Sequence, residues 1–279
     1  LKQVKADHGA ASIGALVSPH STVEELYLSG ALMRGLGSEN IDHRLRHAEF
    51  SPAPAARWLG TSIASLSSLQ RVLVVGSDLR KDHPLFALRV RQAVKRGCQV
   101  SAVQAKQPDW AMPLANTLIA PSSLWASALA DVAAAVAAEK GVSAPAAGTV
   151  SAAAAAIARS LLGGERKAIL LGNAAAHHER ASSLLALANW IGEQTGATVG
   201  YLTEAANTVG AQLVGAQPGA GGLHAAQMLG GALKAVLLLN NEPASDSAVA
   251  GNASALAGAQ MVVTLSPFKA NMDISDVLL

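Results

Sequence analysis

The 279-residue chain is 51% hydrophobic and 14% charged, which excludes disorder and leaves room for one large or two ordinary domains with sizeable cores. A net charge of +2, with both signs interspersed and 3% aromatic residues, excludes a nucleic-acid binder that relies on a basic stripe and stacked rings. One cysteine, Cys98, excludes a disulfide framework, a cysteine-type zinc site and any iron–sulfur cluster held by these residues alone. Cys98 itself reads as a small buried thiol at a strand start.

In chain order, the run 12–18 is the first strand expected. Ser21-Thr22-Val23-Glu24 and Thr22-Val23-Glu24-Glu25 are overlapping capping boxes that start a helix through Leu36, closed at Gly35 or Gly37. The densest polar run of the chain follows directly, GSENIDHRLRHAEF over residues 37–50. Arg71 to Gly76 reads as a buried strand, followed by a loop to His83 and a helix entered at Pro84, whose missing N–H costs nothing in a first turn. Lys95-Arg96-Gly97 closes that helix with cations and a glycine, as the macrodipole and the C-cap favour. Strands at 98–103 and 116–120, a helix at 123–140, a turn at 141–149 and a helix at 151–162 come next. Leu124 to Ala138 is the most apolar window, too short and alanine-rich for a membrane span.

Gly163-Gly164 then separates a second series. It comprises a strand at 168–172, a helix from about 179 to 196, a strand at 198–202, a glycine-rich segment at 204–222 and a helix at 223–231. A strand at 235–239, a helix at 245–257 and strands at 261–265 and 276–279 complete it. Repeated strand–helix–strand order implies α/β architecture with parallel sheets and right-handed crossovers. The start at Leu1 and the finish inside a strand read as the cut ends of a longer polypeptide.

Ligands of such sheets lie beyond the carboxyl ends of strands, near helix N-termini. Three strand ends therefore matter: Gly76-Ser77-Asp78, Gly172-Asn173-Ala174 and Asn240-Asn241-Glu242-Pro243. None is a complete G-x-G-x-x-G fingerprint or a phosphate-binding loop. Glycine lets backbone approach a phosphate, whereas Asp78 repels one, so tight strand-to-helix turns are the plainer account. His43 and His47 stand four apart but lack a third ligand in register, so no metal is expected there. His177-His178-Glu179 reads as a solvated helix start. Neither a nucleophile elbow nor a catalytic triad is visible.

Together these pieces resemble one family. Ser18 to Leu28, Leu32 to Arg46 with its Asn40-Ile41-Asp42-His43-Arg44-Leu45-Arg46 core, Val74 to Leu85, Ala205 to Ala211 and Ile274 to Leu279 carry the resemblance. They are similar to the molybdopterin-oxidoreductase-like part of the large iron–sulfur G subunit of bacterial NADH-quinone oxidoreductase, respiratory complex I. The resemblance implies two Rossmann-like parallel-sheet units, one inserted into the other, with 1–50 and 166–279 forming one and 51–165 the other. Cofactor-bearing relatives place pterin guanine dinucleotides on strand-end loops of this kind, which makes Gly76, Ser77, Asp78, Gly172, Asn173, Asn207 and Asn241 vestigial candidates for cofactor binding. In those relatives the segment after Arg46-His47 supplies the molybdenum or tungsten ligand; here Ala48 stands there, and a methyl group has no lone pair.

The resemblance thus implies a segment of complex I without its own redox centre. Molybdopterin is not expected, and the iron–sulfur clusters belong to an upstream part of the same chain. Partners would be that upstream part and neighbouring hydrophilic-arm subunits, on the cytoplasmic side of the bacterial inner membrane, with no nucleic acid and no membrane insertion. A working molybdopterin-dependent oxidoreductase fragment is the alternative, and a nucleotide-binding module a third. On this reading the run 37–50 is a network of ion pairs and hydrogen bonds fixing a buried turn.

Overall fold

A computed structural model describes residues 1–51, 56–248 and 256–279. Its strands are β1 (Ile13–Val17), β2 (Ile41–Asp42), β3 (Arg71–Val75), β4 (Gln99–Gln104), β5 (Asn116–Ile119), β6 (Lys167–Leu171), β7 (Thr198–Tyr201), β8 (Ala235–Leu239), β9 (Met261–Leu265) and β10 (Val277–Leu278). The helices are α1 (Lys2–His8), α2 (Val23–Leu36), α3 (Leu79–Asp82), α4 (Pro84–Val94), α5 (Trp125–Lys140), α6 (Ala152–Leu162), α7 (Asn173–Ala176), α8 (Ala181–Thr195), α9 (Thr208–Leu213), α10 (Ala225–Gln227) and α11 (Pro243–Asp246). They divide into two compact units, one of Leu1–Ala56 with Ala205–Leu279 and one of Arg57–Glu204.

The first unit is built on a parallel sheet in the order β10-β9-β8-β1-β2. Both faces are buried, so β1 and β8 are continuous apolar runs instead of alternating ones. Ile13, Ala15, Val17, Leu237 and Leu239 pack with Leu26 and Met33 of α2, while Leu16, Val236 and Leu238 face Met228 and Leu229. Helix α2 starts on the expected capping box, Thr22 Oγ1 accepting from the Glu25 N–H and the Glu25 carboxylate from the Thr22 N–H. It stops at Gly37, whose φ of 87° lies in the left-handed region that suits glycine.

The second unit carries the order β5-β4-β3-β6-β7, again all parallel. Leu73, Val75, Val103, Ile169 and Leu171 meet α5, α6 and α8 on one face. Val72, Val74, Val100, Ala102 and Leu170 meet α4 and the 3-10 segment Ala64–Ser68 on the other. Cys98 is buried in that second core, and burial pushes its thiol up to about 11. Among the described residues no helix is long and apolar enough to cross a membrane; all of the window 124–138 but Leu124 lies within the largely buried helix α5.

Several expectations need correction. Residues 166–204 stay with the second unit, because β6 pairs with β3 and β7 with β6. Gly163-Gly164 is a helix-to-strand turn, not a junction: the Gln70 Oε1 accepts from the backbone N–H groups of Glu165 and Arg166 and draws β6 alongside β3. The glycine-rich segment 204–222 contains α9, and short helices α3 and α7 occupy stretches expected to be loop. Of the helix expected over 245–257, α11 supplies only the beginning, and 249–255 lie outside the described residues.

Candidate functional site

The polar run 37–50 is a clasp within the first unit. Ile41–Asp42 forms the edge strand β2 beside β1 and buries Asp42 completely. Its Oδ1 accepts from Arg44 Nε at 2.9 Å and from the Arg44 backbone N–H at 3.1 Å. Its Oδ2 accepts from Arg44 Nη2 and from the Ala225 N–H, both at 3.0 Å. Four donors on one carboxylate, including a bidentate guanidinium, compensate the cost of burying the charge. Asn40 donates to the carbonyls of Ala11 and Ile13 and accepts from the Leu223 N–H, and the Ser38 hydroxyl donates to Ile13 O. His43 is buried, its Nδ1–H donating to Ala216 O at 3.0 Å, and it does not share a helix with His47. Arg46 pairs with Asp246 rather than with Asp42.

The Arg44 guanidinium also lies over the Phe50 ring, 5.1 Å from its centre, and Phe50 stacks on His224 at 3.9 Å. The His224 Nδ1 accepts from the Gln227 N–H, which requires an unprotonated nitrogen there. Burial chiefly, with Arg44 adding and Asp42 opposing, pushes the His224 imidazole below its usual range. The unfolded chain therefore takes up this proton first, so stability is full above the ordinary value of 6.5 and falls as pH drops below it towards the folded value. Urea titrations at about pH 7 and about pH 5 will show a lower midpoint at the acid pH, and His224→Gln will shrink that difference. An unchanged difference would remove His224 from the account.

Ala48 follows in an irregular loop and is exposed, presenting no donor atom. Neighbouring Glu49 accepts from the Ser51 hydroxyl at 3.0 Å.

In the second unit the strand order reverses between β3 and β6, the switch point where α/β sheets hold ligands. Gly76, Ser77, Gly172 and Asn173 converge there, and Asp78 adjoins them. Gly76 has a φ of 61°, and a Cβ on it would meet the Trp125 ring at 2.6 Å and Ala175 N at 2.8 Å. A Cβ on Gly172 would meet Gly76 O at 2.6 Å and Ser77 Cα at 2.7 Å. Protein atoms, not an open cradle, occupy the space these glycines leave. The backbone closes the same place, Gly172 N–H donating to Val75 O and Ala174 N–H to Gly76 O. Asp78 turns to the surface, 3.7 Å from Lys81. The Ser77 hydroxyl and Asn173 Oδ1 are buried and without partners among the described residues.

The first unit's switch point lies between β1 and β8. Asn241 staples it, its Nδ2 donating to Leu16 O at 2.6 Å and to Leu239 O at 3.0 Å, the strands on either side of the crevice. Its backbone carbonyl accepts from Asn271 Nδ2, while its Oδ1 is buried without a partner among the described residues. Asn207 is tied to the loop after β1, donating from its backbone to Pro19 O and from its side chain to Ser21 O.

His177 and His178 of the second unit behave otherwise than the sequence suggests, and His83 is held in a similar way. His178 is buried, donating to Ser122 O and accepting from the Arg180 N–H, and it stacks beside Trp125. His177 Nε2 lies 2.7 Å from Glu204 Oε2, both mostly buried, so the pair 177–178 is not a solvated helix start. His83 donates to Thr203 O at 2.9 Å. Apart from the local bond from Arg180, these bonds join different loops, pairings that no local spacing announces.

Comparison with known proteins agrees with this architecture. Acetylene hydratase from Pelobacter acetylenicus superposes over 100% of this chain and 50% of its own with a TM-score of 0.68 at 14% identity, a likeness of fold. The "Probable oxidoreductase YjgC" of Bacillus subtilis (strain 168) is 31% identical over 118 residues, 39% of this chain and 12% of that protein. The NADH-quinone oxidoreductase G subunit of Rickettsia felis is 31% identical over 98 residues, 35% of this chain and 14% of that one. The matched stretches thus span about an eighth of the length of these relatives. The profile of the molybdopterin oxidoreductase family matches residues 1–279, the whole of the sequence. The chain belongs to the molybdopterin oxidoreductase family.

Proposed function

We propose that the chain is a structural and assembly part of the large iron–sulfur subunit of a bacterial NADH-quinone oxidoreductase, carrying a degenerate molybdopterin site and no redox centre of its own. The carrying observation is Ala48: where the family's metal ligand is expected, this chain offers an exposed methyl group. The clasp around Asp42 supports it, since its charges are spent on one another and on backbone groups. The packed glycines and the Asn241 staple support it too, because they fill the switch points where a dinucleotide would lie. Partners in this reading are the cluster-bearing portion of the same polypeptide and adjoining hydrophilic-arm subunits at the cytoplasmic face of the inner membrane.

A second reading, a working molybdopterin-dependent oxidoreductase fragment, draws on the buried Ser77 Oγ, Asn173 Oδ1 and Asn241 Oδ1, which a polar ligand could satisfy. Metal analysis of the purified full-length protein, with oxidative release of fluorescent pterin, separates the two. The structural reading expects background molybdenum and tungsten and no pterin. Stoichiometric amounts of either metal, or of pterin, would overturn it and leave the second.

A further inference from the structure

At the amino edge of the second unit's sheet, away from the Ser77 and Asn173 loops, lie six cations, none of which pairs with a carboxylate among the described residues. Strand β3 begins at Arg71 and β6 at Lys167, and these two are register partners on neighbouring strands. Residues so placed stand about 5 Å apart, and like charges there repel. The Lys167 ammonium is pushed below its usual range, first by burial and then by Arg71 and Lys140. The 3-10 segment Ala64–Ser68 ends three residues before Arg71. Three guanidinium groups converge on it: Arg166 Nε donates to Ser68 O at 2.6 Å, Arg96 Nη1 to Ser67 O at 3.3 Å and Arg89 Nη1 to Ser67 Oγ at 3.5 Å. Arg71 donates to Gln70 O and Lys140 to Gln194 O, both at 2.7 Å.

Every one of these partners is neutral. Among the described residues none of the six forms an ion pair, and the exposed Glu139, Glu165 and Glu193 of this end pair with none of them. Helix macrodipoles account for Lys140 and Arg96, which stand at the carboxyl ends of α5 and α4. They do not account for Arg71, Arg166 and Lys167, which begin or precede strands. The whole unit is basic, with fourteen Lys and Arg against nine Asp and Glu over 57–204, +5, while the other unit has seven against ten, −3.

We propose that this edge docks an acidic segment of another polypeptide. Guanidinium forks donate bidentately to carboxylates. Arg71, Lys167 and Lys140 stand on the α5 and α8 face of the sheet and Arg89, Arg96 and Arg166 on the α4 face, so the cations flank both sides of this end and suit carboxylates spread along a segment better than a single phosphate. None of the six lies over an aromatic ring; the cation–ring contacts among the described residues are Arg44 with Phe50 and Arg57 with Tyr201. The stacking that single-stranded nucleic acid uses is therefore lacking here, as are the aromatic anchors of a membrane-surface patch. This surface is independent of whether the chain binds molybdopterin.

The test is fluorescence anisotropy of a labelled oligoglutamate peptide titrated with the full chain. Saturable binding is expected, weakened by about tenfold or more in R166E/K167E and lost as salt rises from about 20 to about 300 mM. Because Lys167 is half-buried, R96Q/R166Q, which changes only exposed side chains, provides a second variant, and it too weakens binding at unchanged circular dichroism. R80Q/K81Q, at the opposite edge, leaves the affinity within about twofold. Absence of peptide binding overturns the proposal. So does equal loss in R80Q/K81Q, no loss in R96Q/R166Q, or tighter binding to phosphatidylserine vesicles or single-stranded DNA.

Discussion

Asp42→Ala lowers the unfolding free energy by about 3–5 kcal/mol, the cost of breaking a buried ion pair from one side. The carboxylate is fully buried and takes four donors, while the Arg44 side chain it holds is only 13% exposed. Removing the acid strands a guanidinium beside Phe50 and orphans the Ala225 N–H at the start of α10. Urea unfolding at neutral pH measures the loss, and the double change Asp42→Ala with Arg44→Met will cost less than the sum of its parts, because the second removes the charge the first leaves unpaired. A single-variant loss below about 1 kcal/mol would show that water reaches the pair and that the clasp contributes little.

Gly172→Ala will cost about 2 kcal/mol or more without any ligand added. Its new methyl meets Gly76 O and Ser77 Cα, backbone atoms that cannot swing aside as a side chain does. Gly35, near the end of α2 with open space around its Cα, provides the contrast: Gly35→Ala is neutral or stabilising by up to about 1 kcal/mol. A glycine kept to cradle a phosphate would show the opposite behaviour, full stability of Gly172→Ala alone and a loss only in ligand binding. That outcome would return the switch point to the list of working sites.

Long, strongly patterned elements were legible in the sequence. The Thr22 capping box, the Pro84 helix entry, the Gly37 and Gly141 caps and the apolar runs of β3, β6 and β8 are local signals, and each element stands where its signal does. A turn held by ion pairs over 37–50 was legible, but not that Asp42 takes Arg44 and leaves Arg46 to Asp246. What was not legible lies in partnerships across the sequence. Gly163-Gly164 looks the same whether the next strand joins the old sheet or a new one; the Gln70 amide decides that. His177 with Glu204, and the six cations gathered from five separate stretches, leave no local trace either. Dispersed along the chain they give no stripe, and only strand register brings Arg71 beside Lys167.

The pairing of β1 with β8 bears on how the molecule is made. Ile13 must find Ala235, and nothing in the first fifty residues can complete that sheet without it. At about 5–20 residues per second on the ribosome, some tens of seconds separate the synthesis of the two strands. During that interval the whole of 57–204 emerges with all five of its own strands and is free to fold first. The apolar run of β1 meanwhile waits exposed, an unpaired strand open to wrong partners. Chaperone dependence therefore belongs with β1, and Asp42 cannot close its clasp until Ala225 has been synthesised.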